Sequence, residues 1–164
     1  MALNNSTGDL GLRPYVLDRL IDLEPKISTE SSNSLYVSLD DLKRAVIRDL
    51  EWLLNTRRMV TDAPTIGEES KKSVVAYGIP DISGVNIENK IEGSSLKLAV
   101  EETIRIFEPR FLDVTATVEP MSSTDRQLRV RIEAKLDLDP VPEPMIFDTV
   151  LQLGTSTIAV TEAS

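Results

Sequence analysis

The hydrophobic period of the chain changes at Glu108-Pro109-Arg110, and that change calls for a helix on one side and a strand on the other. Upstream, Leu96, Val100, Ile104 and Phe107 recur at three- and four-residue steps, the spacing of one helix face, with Ser94 or Ser95 placed to cap it. Downstream, Leu112, Val114, Ala116 and Val118 alternate with Asp113, Thr115, Thr117 and Glu119, the pattern of a strand buried on one face. Pro109 has no amide to continue a helix and disfavours helical geometry at Glu108, so the helix stops at this turn.

A second alternating run puts Leu128, Val130, Ile132, Ala134, Leu136 and Leu138 on one face and Arg129, Arg131, Glu133, Lys135 and Asp137 on the other. Together the two runs predict an antiparallel hairpin, dry on one side and wet on the other. The stretch "MIFDTVLQL" is apolar on both faces, so it predicts a third strand that needs cover or a partner; its neighbouring prolines suit a sheet edge.

Further upstream, Ser38-Leu39-Asp40-Asp41 has the form of a capping box, and apolar residues at 39, 42, 46, 50, 53 and 54 make one helical stripe. Trp52 is placed at the edge of that stripe, with core packing favoured over a contact surface. A shorter amphipathic helix is predicted over 13–23, and residues 60–94 read as loop with short local elements. The fold class is α+β: a small antiparallel sheet of about three strands in the C-terminal half, packed against two or three amphipathic helices. Residues 1–9 are read as a flexible tail, 10–153 as one domain and 154–164 as a C-terminal tail.

Composition narrows the chemistry. With 18 Lys and Arg against 27 Asp and Glu, the net charge of −9 opposes nucleic acid, whose binding depends on basic groups displacing counterions. The absence of cysteine and histidine removes disulfides, thiolate and imidazole metal sites, and the Ser-His and Cys-His triads. Scattered glycines form neither phosphate-loop pattern, so no cofactor is expected. The N-terminus lacks a signal-peptide pattern and no apolar run reaches the roughly 18 residues of a membrane span, so a soluble cytoplasmic protein without direct membrane insertion is expected.

The residues that stand out are Glu108, Pro109 and Arg110, together with Arg57 and Arg58 at the end of the long helix. The turn reads either as a helix stop with a weak surface ion pair, or as a docking site. In the second reading Arg110 makes bidentate, partly desolvated bonds to a partner while Glu108 holds its side chain. Arg57 and Arg58 read either as a solvated basic helix end or as a contact with an acidic partner.

Three blocks carry a family resemblance: "DLKRAVIRDLEWLLNTRR" (41–58), "SVVAYGIPDISG" (73–84) and "IRIFEPRFLDVTATV" (104–118). In this order they resemble the TssE family of type VI secretion baseplate subunits, related to the phage tail lysozyme-like baseplate wedge proteins. The resemblance implies a wedge subunit that assembles with TssF, TssG and TssK, and a small sheet that starts the TssB and TssC sheath by strand addition. The family's Glu-Pro-Arg signature falls on Glu108, Pro109 and Arg110, which favours the docking reading. The lysozyme label carries an alternative, a peptidoglycan hydrolase built on Glu108. Such an enzyme needs two carboxylates across a cleft, and Glu101 lies on the same helix face as Glu108, about 10 Å along one axis. No catalytic residue is therefore assigned.

Overall fold

The computed structural model describes residues 15–21, 25–26, 37–58, 67–81, 89–122, 127–152 and 158–163. The expected N-terminal tail lies outside them. The chain divides into two compact units, Met1–Val46 and Ile47–Ser164, with the boundary inside one helix.

Within the described part of the segment expected to be helical over 13–23, the helix is α1, Val16–Leu20, whose Val16, Leu17 and Leu20 are exposed. Helix α2, Leu39–Asn55, begins at the expected capping box. Ser38 Oγ accepts the Asp41 N–H at 3.1 Å, and the Asp41 carboxylate accepts from the Ser38 hydroxyl at 2.6 Å. The Ser38 hydroxyl is the largest of the contacts that hold the Asp41 carboxyl below its ordinary range. The stripe is buried at Leu42, Val46, Leu50, Leu53 and Leu54. Trp52 departs from expectation: it is 50% exposed, with the Arg48 guanidinium 5.1 Å from its ring centre. Position 52 follows 44 and 48 at helical steps, so its ring belongs to the wet face.

In the second unit the middle segment contains α3, Glu68–Lys71, and a 3₁₀ turn, Val74–Ala76. Helix α4, Lys90–Phe107, starts one turn before the predicted Ser94 or Ser95 cap. Asn89 caps it instead, its Oδ1 accepting the Ile91 N–H at 3.0 Å while its amide donates to Glu92 at 2.9 Å. The helix ends as the sequence dictates, with Glu108 outside it and Pro109 in the turn.

Among the described residues the sheet has four antiparallel strands rather than about three: β1 Phe111–Ser122, β2 Gln127–Leu136, β3 Glu143–Gln152 and β4 Ile158–Glu162, in the order β1-β2-β3-β4. The α+β class holds, but β3 is interior, paired with β2 on one side and β4 on the other. Its outer face is only partly covered, with Val150 39% exposed, and the expected edge at β3 is replaced by β4, which lies in the stretch read as tail. On the dry face, Val114, Ala116, Leu128, Val130, Ile132, Phe147 and Ile158 are buried. At the start of β1 the register shifts between Phe111 and Val114, so Phe111 turns inward onto Phe147 at 5.9 Å while Leu112, expected on the dry face, is exposed. The wet face carries exposed ion pairs, including Lys135 with Asp113 at 3.0 Å between β2 and β1. Helix α4 packs against β1. Among the described residues no helix is long and apolar enough to cross a membrane, and no acidic group of three or more is placed to hold a metal ion.

Candidate docking site around the Glu-Pro-Arg turn

Where α4 gives way to β1, the chain must reverse with a buried charge in hand. The backbone closes the turn first: Glu108 N–H donates to Ile104 O at 2.8 Å, Phe111 N–H donates to Glu108 O at 3.2 Å, and Asp137 N–H, just past β2, donates to Arg110 O at 2.8 Å. These bonds turn the Arg110 side chain inward. Arg110 and Glu108 are each only 5% exposed, whereas Pro109 lies at the surface.

The Arg110 fork is occupied by its own chain. Nε and Nη2 donate to the two oxygens of Glu108, and Nη2 also donates to Asp49 Oδ2 on α2 at 2.6 Å. Arg48 donates to the other Asp49 oxygen from Nε at 3.0 Å and Nη2 at 2.8 Å, so charge alternates from Arg48 through Asp49 and Arg110 to Glu108. Burial alone disfavours a charged guanidinium; the hydrogen bonds and charges of Glu108 and then Asp49 outweigh it and lift the Arg110 pKa above the ordinary arginine value. Bidentate recognition of a carboxylate, expected toward a partner, is thus made within the subunit.

The other two blocks close around the same turn. Arg57 bridges Ile79 in parallel, with Arg58 N–H donating to Ile79 O at 2.9 Å and Ile79 N–H donating to Thr56 O at 3.0 Å. Gly78 makes this approach possible: its φ is 102°, and a Cβ there would collide with the Thr56 carbonyl. Tyr77 packs edge-on against Phe107 at 5.3 Å. Burial, followed by the negative charges of Asp49 and Glu108, raises the Tyr77 pKa, so its neutral phenol belongs to this network.

Arg57 is half-buried and donates to Leu54 O at 3.1 Å, securing the end of α2. Arg58 is also half-buried, and its Nε finds no hydrogen-bond partner among the described residues. Asp49 carries no signal in the sequence, since it lies between the apolar positions 46 and 50 of α2 like any other polar residue of that helix. Glu101 is not a solvated acid: it is buried, and Oε1 accepts the Ala116 N–H at 2.8 Å. As a candidate acid, Glu108 is shut in, with both oxygens taken by Arg110.

Residues 40–141, more than half of the chain, match the family model described as baseplate wedge protein gp25. The chain belongs to the baseplate wedge gp25 family. The match runs from α2 through β2 and so contains Asp49, Arg57, Arg58 and the whole 108–110 turn. A chain in the solved baseplate complex from the type VI secretion system is similar at 15% identity and a TM-score of 0.48, covering 69% of this chain and 96% of that one. No curated protein sequence matches.

Proposed function

We propose that this member of the baseplate wedge family is the TssE subunit of a type VI secretion baseplate. It is a cytoplasmic structural part that assembles with TssF, TssG and TssK and starts the TssB and TssC sheath by strand addition. The observation that carries the reading is the family match over 40–141, which contains all three of the blocks that resemble TssE. The geometry refines the docking part. Glu108 and Arg110 act as an internal brace that fixes the turn, and the partner meets Pro109 at the surface of that turn and Arg57 and Arg58 at the end of α2. Arg57 already donates to Leu54 O, which leaves the half-buried Arg58 guanidinium as the one of these to meet a partner's carboxylate or carbonyl.

Copurification of tagged wild type, Arg58→Glu and Arg110→Ala from cells carrying the candidate partners, with melts on each protein, tests this. Arg58→Glu should lose partners at an unchanged melting temperature, whereas Arg110→Ala should lose them while melting lower. Partners retained by Arg58→Glu would move the interface away from the end of α2. Turnover of purified peptidoglycan that disappears in Glu108→Gln would restore the hydrolase reading.

A further inference from the structure

An open sheet has two edges, and each offers unpaired backbone groups to any passing strand. On the β1 side two of those groups are occupied, each by a side chain of α4. Alternate residues of an edge strand turn their N–H and C=O away from the neighbouring strand, and on β1 the outward groups include Val114 O and Ala116 N–H. Arg105 Nη2 donates to Val114 O at 2.8 Å, and Glu101 Oε1 accepts the Ala116 N–H at 2.8 Å. Both side chains come from α4, and they are held in file: Glu101 lies 3.6 Å from Arg105 and 3.8 Å from Lys97, each one helical turn away. A carboxylate and a guanidinium thus supply the acceptor and the donor that a fifth strand would supply, at the place where it would pair.

On the β4 side the blockade is shorter. Ala163 N–H donates inward to Ile146 O at 2.8 Å, so by alternation Ile158 and Val160 turn their backbone groups outward. Those of Ile158 are met by one carboxamide: Asn55 Oδ1 accepts its N–H at 2.7 Å and Asn55 Nδ2 donates to its O at 2.8 Å. No such side chain meets Val160 among the described residues.

We infer that Glu101 and Arg105 guard the β1 edge at Val114 and Ala116, so that strand addition to this subunit falls to the β4 edge, where Asn55 sets the point beyond which an added strand cannot pair. The direction of growth is then fixed by the subunit itself. The guard also explains why a buried carboxylate is tolerated on α4: its hydrogen bond to the strand and its cationic neighbours offset the loss of water. The choice of β4 rests on the strand-addition reading, while the guard of β1 does not.

The guard is tested on the full chain by combining Glu101→Ala with Arg105→Ala. Sedimentation should show more concentration-dependent association than in wild type, and the Ala116 amide should exchange about tenfold faster, as for loss of one hydrogen bond to a charged group. Glu101→Gln, whose amide oxygen still accepts from Ala116, should sediment as wild type. If the double variant does not fold, Arg105→Ala alone frees Val114 O and is read by the same association. Exchange at Ala116 or association unchanged from wild type overturns the guard. Val160→Pro separates the two claims: it removes the outward N–H of β4 and should abolish sheath nucleation. Nucleation retained by a folded Val160→Pro, with association seen in the double variant, removes β4 as the accepting edge and leaves the guard standing.

Discussion

Arg110 and Lys135 each join a carboxylate on another element, yet the two pairs hold the protein together to very different degrees. Lys135 meets Asp113 on the wet face of the sheet, both exposed, and water competes for each charge. Arg110 meets Glu108 out of water and Asp49 at the half-buried side of the same site, and a hydrogen bond not made there leaves a desolvated charge behind. What distinguishes a brace from decoration is the cost of removing one partner rather than the presence of an ion pair. The largest effect is therefore expected at the turn. Arg110→Ala leaves Glu108 buried without its counter-charge and should cost about 3–5 kcal/mol, lowering Tm by roughly 10 °C in a chain of this size. Chemical denaturation and a melt check it. Arg110→Lys keeps the charge but loses the fork, and should fall between the two.

The same contrast explains what could be read in the sequence. Helix α2 and strand β2 were legible because their apolar residues repeat over many turns of one period, and period is a local property. Glu108 beside Arg110 was legible because only Pro109 separates them. Asp49 was not: it lies 61 positions from Arg110, and nothing in its surroundings distinguishes it from Asp40 or Glu51. Burial of the turn was equally hidden, because charged residues at a helix stop are ordinarily solvated. Strand β4 escaped because "IAVTE" has only two inward apolar residues, too few to show a period, and because its pairing with β3 is supplied by tertiary structure. The start of α4 was displaced by the choice between caps: Asn89 and Ser94 are both good ones, and the local bonds to Ile91 and Glu92 decide for Asn89.

A second, smaller effect sharpens the claim that the three blocks form one brace. Gly78→Ala places a Cβ against the Thr56 carbonyl at a φ that suits glycine, so the pairing of Arg58 and Ile79 must shift or the backbone must strain. A loss of about 1–3 kcal/mol is expected from strain of this kind. If the brace is one unit, this variant and Arg110→Ala should be less than additive in a double-mutant cycle; full additivity would make them separate features.

Smaller still is the effect of alkaline pH on Tyr77. Its pKa is raised in the folded protein, first by burial and then by Asp49 and Glu108, so the folded state holds the phenol proton more tightly than the unfolded chain. That contribution is complete below the unfolded value of about 10 and is lost as pH rises through the folded one. Wild type should therefore lose more stability than Tyr77→Phe between pH 9 and 11. Equal losses would detach Tyr77 from the carboxylates of the brace.

The smallest effect is expected on the wet face. Lys135→Ala removes the cation of an exposed pair whose carboxylate, Asp113, returns to water without penalty. Stability should change by less than about 1 kcal/mol, and less again in high salt, where exposed charges are screened. The Arg110 network should show less salt dependence, because Arg110 and Glu108 at its centre are buried. A Lys135→Ala loss approaching that of Arg110→Ala would mean that the β1–β2 pairing depends on its outer charges as much as on Val114, Ile132 and their buried neighbours. Burial would then no longer separate the two ion pairs, and the sheet rather than the turn would be the place where this subunit is most easily undone.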